Sequence, residues 1–195
     1  MLKDRTSWIF DLDGTLTLPV HDFAHIRQEL GMAPEVDILA TIEKYSGEEK
    51  RTMLARLDEL ERHYAALAKP AEGALDLLEL LKLAGHDLGI LTRNTKEMAL
   101  LSLQSIGAGD YFAEADVLGR DESEPKPSPD GINYLINQWN SSASDAVMVG
   151  DFHFDLLCGA AAGVKTVHVD KRERHWPEVT DVRVYSLSEL ILLLN

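Results

Sequence analysis

Ser7-Trp8-Ile9-Phe10-Asp11-Leu12-Asp13-Gly14-Thr15 is the stretch on which the reading of this chain turns. A short apolar run stops at an acidic, glycine-bearing turn, the pattern of a buried strand whose end opens on a polar site. Two carboxylates two residues apart at a strand terminus point the same way while strand geometry lasts. Their mutual repulsion favours either a metal ion or a shared proton. One carboxylate can then attack as a nucleophile while the other serves as acid and base. Read alone, the same residues also describe a solvated turn with an Asp cap.

Downstream, strand-like and helix-like stretches alternate, which predicts an α/β fold with a doubly wound parallel sheet. A Leu-rich helix over Ala74 to Ala84 closes at Gly85, a strand follows from Asp87 to Thr92, and a helix runs from Lys96 to Ile106. Asn94 or Thr95 caps that helix and Gly107 stops it. Asp116 to Leu118 reads as a short strand. Ser128-Pro129 offers a cap and a first-turn proline ahead of Ile132, Leu135, Ile136 and Trp139, which share one helical face. Ala146 to Val149 and Val164 to Val169 are the clearest buried strands, joined by a helix over Phe154 to Ala162. Val182 to Val184 adds an edge strand, and Ser186 with Glu189 forms a capping-box pattern at the last helix.

The stretch from Leu16 to Lys69 breaks this alternation and reads as helix only. Phe23, Ile26 and Leu30 form one stripe, and Val36, Leu39 and Ile42 another. Ser46 and Glu49 match a capping box ahead of Met53, Leu57, Leu60, Tyr64 and Leu67. The expected division is a core of residues 1–15 and 70–195 with a small all-helical insertion, residues 16–69, over one end of the sheet.

In open parallel sheets, ligands bind beyond the carboxyl ends of the strands. Besides Asp11 and Asp13, three such ends carry useful residue types. Thr92-Arg93-Asn94 places a hydroxyl and free backbone N–H groups at a helix start, a ready anion cradle as well as an ordinary N-cap. Lys126 lies in Pro125-Lys126-Pro127-Ser128-Pro129, where prolines restrict the loop. Gly150-Asp151 with Asp155 four positions on suits hard-cation binding by oxygen, though Asp151 also reads as a cap of the next helix.

The 195-residue chain has a formal net charge of −14 and one cysteine, Cys158. Such charge repels phosphate backbones and anionic lipid, which disfavours nucleic acid and membrane partners. A single cysteine forms no internal disulfide, and no apolar run reaches the roughly 18 residues of a membrane span. Met1-Leu2-Lys3-Asp4-Arg5 leads straight into a strand-like segment, unlike a signal peptide, so the expectation is a cytoplasmic monomer or small homo-oligomer.

Taken together, Asp11-Leu12-Asp13-Gly14-Thr15, Thr92, Lys126 and Gly150-Asp151 with Asp155 resemble the haloacid dehalogenase-like hydrolase superfamily, in particular its phosphoglycolate-phosphatase-like branch. The resemblance implies a Rossmann-like core with a helical cap and hydrolysis of a small phosphorylated metabolite. By resemblance, Asp11 attacks phosphorus to form an aspartyl-phosphate. Asp13 protonates the leaving oxygen and then deprotonates water. Mg²⁺ is held by the Asp11 carboxylate, the Asp13 carbonyl and Asp151, with Asp155 supporting that shell. Thr92 and Lys126 bind the phosphoryl oxygens, and Arg93 stands at the pocket rim. A cation and Lys126 would make an anion site within an acidic protein.

The insertion is short for its cap class. His21, His25, Arg27, Lys44 and Arg51 are its candidate contacts to the leaving group, each also readable as part of a solvated face. A phosphosugar mutase and a phospholigand-binding protein without turnover are the rival readings. The intact set of acid, base and anion residues speaks against the second.

Overall fold

The computed structural model describes residues 2–19, 22–171 and 174–195. Strands β1 (Ser7–Phe10), β2 (Asp87–Leu91), β3 (Val117–Leu118), β4 (Ala146–Gly150), β5 (Lys165–Val169) and β6 (Val182–Val184) form one sheet. Their order is β3-β2-β1-β4-β5-β6, with parallel pairing throughout. The chain leaves β1 toward β2 on one side and returns to β4 on the other. The end of β1 is therefore the switch point at which such sheets bind ligands.

Alternation along the strands sorts the core into two layers. Trp8, Phe10, Val147 and Val149 face one way, and pack with Leu77, Leu78 and Leu81 of α4 (Ala74–Leu83) and Leu187 and Leu190 of α8 (Leu187–Leu194). Helix α5 (Lys96–Ser105) adds Ala99 and Leu103 to the same layer. Ile9, Ala146 and Met148 face the other way, against Ile132, Leu135 and Ile136 of α6 (Asp130–Gln138) and Cys158 of α7 (His153–Ala162). Burial on both faces explains why these strands read as continuous apolar runs.

Between β1 and α4 the chain forms α1 (Phe23–Glu29), α2 (Ile38–Ile42) and α3 (Gly47–Ala66). Ile26, Ile42, Leu57 and Leu60 give these helices an apolar cluster of their own. The two connecting strands of chain run side by side: Leu18 N–H donates to the Lys69 carbonyl and Ala71 N–H to the Leu16 carbonyl, each at 2.8 Å. Leu16 itself is buried in the first core layer. Val20 and His21 lie outside the described residues, and with them the reading of His21 as a leaving-group contact.

Several local expectations are corrected. Ser46 precedes α3 in extended conformation, but its side chain makes no cap bond, so the Ser46–Glu49 capping box is not formed. Helix α6 starts one residue later than a Ser128 cap implies, because Pro129 holds the N-cap position while Ser128 Oγ accepts from Asp130 N–H at 3.3 Å. Asp151 does not cap α7; Phe152 holds that position, and its N–H is satisfied by the Asp155 carboxylate at 3.0 Å. Thr95, by contrast, caps α5 through Met98 N–H, and Ser186 caps α8 through Glu189 N–H.

Candidate active site

Register delivers the acidic residues to one place. Phe10 pairs with Ile90 on one side and Val149 on the other, so Asp11 follows β1 beside Leu91 and Gly150, the last residues of β2 and β4, and Thr92 and Asp151 come one residue further on. Asp11 N–H still donates to the Val149 carbonyl at 2.9 Å, which continues the ladder one residue past β1 and fixes the direction of its carboxylate. Thr15 Oγ1 donates to Asp11 Oδ2 at 3.2 Å.

Lys126 arrives from the proline-rich loop and is almost fully buried. Its ammonium lies 2.6 Å from Asp11 Oδ1 and 2.6 Å from Asp155 Oδ1. Burial opposes the ammonium's charge, but the two carboxylates outweigh that cost and hold it protonated well above its ordinary range. Asp11 is pushed the other way: burial raises its carboxyl well above the usual value, Lys126 opposes that rise, and Asp155 and Asp151 add to it. Asp151 is pushed up to about 6 by burial and Asp155, against the opposing effect of Arg174. The site holds more negative charge than its cations offset.

Oxygens of Asp11, Asp151 and Asp155 all lie within 4.8 Å of one another. An all-carboxylate set of this kind suits a hard divalent cation rather than a soft one. Two glycines permit the approach. Gly14 has φ +96°, and a Cβ there would stand 2.9 Å from Asp151 Oδ2; a Cβ on Gly150 would stand 2.3 Å from that of Asp155. The donor chemistry and this close backbone approach fit a metal such as Mg²⁺. Asp13 lines the same cavity as Asp11 and Asp151, with its carboxylate outside that three-acid group.

Thr92 is buried at the end of β2, where its hydroxyl accepts from Asn94 N–H at 3.1 Å. Arg93 lines the cavity but is not free to turn: it grips Asp37 at 2.8 and 3.1 Å and lies over the Phe154 ring at 4.9 Å. Among the candidate contacts of the insertion, Arg27 lines the cavity, whereas His25, Lys44 and Arg51 are exposed. Cys158 is buried and its thiol is pushed up to about 12 by burial, consistent with a core role.

Two residues of the site escaped the sequence reading. Arg174, on the loop after β5, places Nη2 3.0 Å from Asp151 Oδ2 and 3.1 Å from the Asp151 carbonyl. Glu61 of α3 lines the cavity while bound to Arg120 at 2.8 Å, and Arg120 also holds Asp58 at 2.5 Å. Nothing local marks either residue, since both depend on segments far apart in sequence meeting at the strand ends.

The family model described as haloacid dehalogenase-like hydrolase matches residues 8–169. The chain is 30% identical to the pyrophosphatase PpaX of Bacillus velezensis, across 86% of this chain and 84% of that protein. It is 27% identical to the N-acetylmuramic acid 6-phosphate phosphatase of Pseudomonas aeruginosa, across 96% of this chain and 93% of that protein. A solved hydrolase from Pseudomonas syringae shares the fold with a TM-score of 0.80 at 19% identity, over 97% of each chain. Fold and relatives together define the class: a hydrolase of the phosphatase type. The chain belongs to the haloacid dehalogenase-like hydrolase family.

Proposed function

We propose that this protein is a Mg²⁺-dependent phosphatase that hydrolyses a small phosphomonoester through an aspartyl-phosphate on Asp11. The observation that carries the reading is the buried Asp11–Lys126–Asp155 chain, with both contacts at 2.6 Å, beside Asp151 at the sheet's switch point. Lys126 fixes the Asp11 carboxylate in direction and, with the Thr92 hydroxyl, offers donors to the phosphoryl oxygens. The nucleophile is positioned in advance, which is what phosphoryl transfer chiefly requires of a protein.

Asp13 lies on the same cavity wall two residues on, and it would protonate the leaving oxygen and then take a proton from the attacking water. Asp11, Asp151 and the Asp13 carbonyl would hold Mg²⁺, and Asp155 would support that shell through Lys126. The ion, when bound, supplies neutralisation of charge between carboxylates and phosphate. Residues 16–69 act as the cap, whose helices α1 to α3 contribute the far wall of the cavity. The relatives' names, a pyrophosphatase and an N-acetylmuramic acid 6-phosphate phosphatase, support the chemistry of cleavage at phosphorus by water.

Turnover of p-nitrophenyl phosphate tests this directly. Hydrolysis is expected with Mg²⁺ and should vanish with excess chelator, returning when Mg²⁺ is restored. Unchanged turnover in chelator, with metal content checked, removes the metal site from the account.

A further inference from the structure

The cavity in front of Asp11 has a volume of about 500 Å³, far more than a phosphoryl group and an ion occupy. The remainder must hold the leaving group, and its wall is largely apolar: Phe23 and Ile26 of α1, Val36, Leu39 of α2, Leu57 of α3, and Phe154 of α7. The arginines on that wall are already committed to carboxylates or to backbone. Arg93 is bidentate on Asp37. Arg27 donates from Nε to the Val36 carbonyl at 2.8 Å and from Nη1 to the Phe23 carbonyl at 3.2 Å. Arg174, the third guanidinium on the cavity, is held by Asp151 at 3.0 Å and Asp170 at 3.5 Å. Away from that cluster, among the described residues, Glu35, Asp37 and Glu61 set three carboxylates on the wall against Arg27 and Arg93. Arg120, which binds Glu61, does not line the cavity, so the wall presents the carboxylate to the cavity and keeps the cation behind it.

A second phosphate or a carboxylate on the substrate would therefore enter an apolar, net acidic wall that, among the described residues, offers no uncommitted cation to receive it. Burying such a charge unpaired is costly. We propose that the substrate is a monoester of a neutral, largely apolar alcohol, and that Glu61 is a specificity-determining residue that rejects anionic leaving groups. The inference rests on the phosphatase reading above and narrows it. It departs from the anionic substrates named for both relatives, pyrophosphate and N-acetylmuramic acid 6-phosphate.

The test is a matched pair of esters, benzyl phosphate and 4-carboxybenzyl phosphate, with pyrophosphate as a third substrate. Assays are run with Mg²⁺ at pH 8, where the Glu61 carboxyl, pushed up to about 7 by burial, is ionised. The wild type should favour the benzyl ester in kcat/KM by about tenfold or more over its carboxylated partner, the scale of one like charge met at several ångströms inside a protein. Pyrophosphate should be at least as poor. In Glu61→Gln the benzyl to carboxybenzyl ratio should fall to within about threefold, whereas a purely structural loss would lower both esters alike and leave the ratio unchanged. A wild type that prefers the carboxylated ester or pyrophosphate overturns the inference alone, and a ratio unmoved in Glu61→Gln overturns the role of Glu61. Absence of turnover on both esters and on p-nitrophenyl phosphate removes the phosphatase reading and this inference with it.

Discussion

Lys126 is the residue on which the site's geometry depends. Its ammonium is shared by Asp11 and Asp155 at 2.6 Å each, and all three groups are buried. Removing one partner from a buried ion pair leaves an uncompensated charge, which costs far more than the pair itself contributes. Lys126→Met keeps the length of the side chain and removes the cation. With metal chelated, it should lower stability by on the order of 3 kcal/mol in urea unfolding. Mg²⁺ should recover part of that loss, because the freed carboxylates then have another cation to meet. An unchanged unfolding midpoint in chelator would show that the three groups are not the coupled set described here.

At the scale of elements, the meeting of α3 with the loop after β3 is made by Arg120, Asp58 and Glu61. Burial, aided by Asp58, raises the Glu61 carboxyl from 4.5 to about 7 in spite of Arg120. Below pH 4.5 the folded and unfolded chains both carry the Glu61 proton. Between 4.5 and 7 the unfolded chain has lost it and the folded chain has not, so stability falls as pH rises and the full cost is present above about 7. Glu61→Gln lacks this dependence. Its stability relative to wild type should improve between pH 4.5 and 7.5 by on the order of 2–3 kcal/mol, then level off. Parallel stability curves for the two proteins would contradict the assignment.

The same scale shows what sequence could and could not disclose. Strand alternation and helix stops are local signals, and the six-stranded parallel sheet and its flanking helices were legible from them. Asp11, Asp13, Thr92, Lys126 and Asp151 were legible as candidates because each follows a strand. Caps were read less well, since Ser46, Ser128 and Asp151 have suitable side chains but the backbone turns elsewhere, at Phe152 for instance, where Asp155 reaches back instead. Arg174 and the Arg120–Glu61 contact carried no local signal. Arg120 and Glu61 are 59 residues apart, and Arg174 reaches Asp151 over 23.

Across the whole molecule the formal charge is −14, and three of the carboxylates, Asp11, Asp151 and Asp155, are gathered at the strand ends. Binding of a divalent cation to the native state alone should therefore stabilise the entire fold. At 100 times its dissociation constant, Mg²⁺ should add about 2.7 kcal/mol. The measurement is thermal unfolding across a Mg²⁺ titration at constant ionic strength, with Asp151→Ala as comparison. The variant should lose most of the Mg²⁺-dependent rise in Tm, and an equal rise in both proteins would place the cation elsewhere. Among the described residues no helix is long and apolar enough to cross a membrane.

Trapping the intermediate decides whether Asp11 is the nucleophile and Asp13 the acid and base. Asp13→Asn spares the backbone carbonyl and removes only the proton donor and acceptor, a loss that typically slows a reaction by about 10²–10⁴-fold. With p-nitrophenyl phosphate, whose leaving group needs little protonation, the first half-reaction should suffer less than the attack of water. Rapid acid quench followed by intact-protein mass spectrometry should then show one added phosphoryl group in Asp13→Asn, mapped by peptide analysis to Asp11, and none in Asp11→Asn. An adduct that persists in Asp11→Asn, or maps to any other residue, would contradict the account.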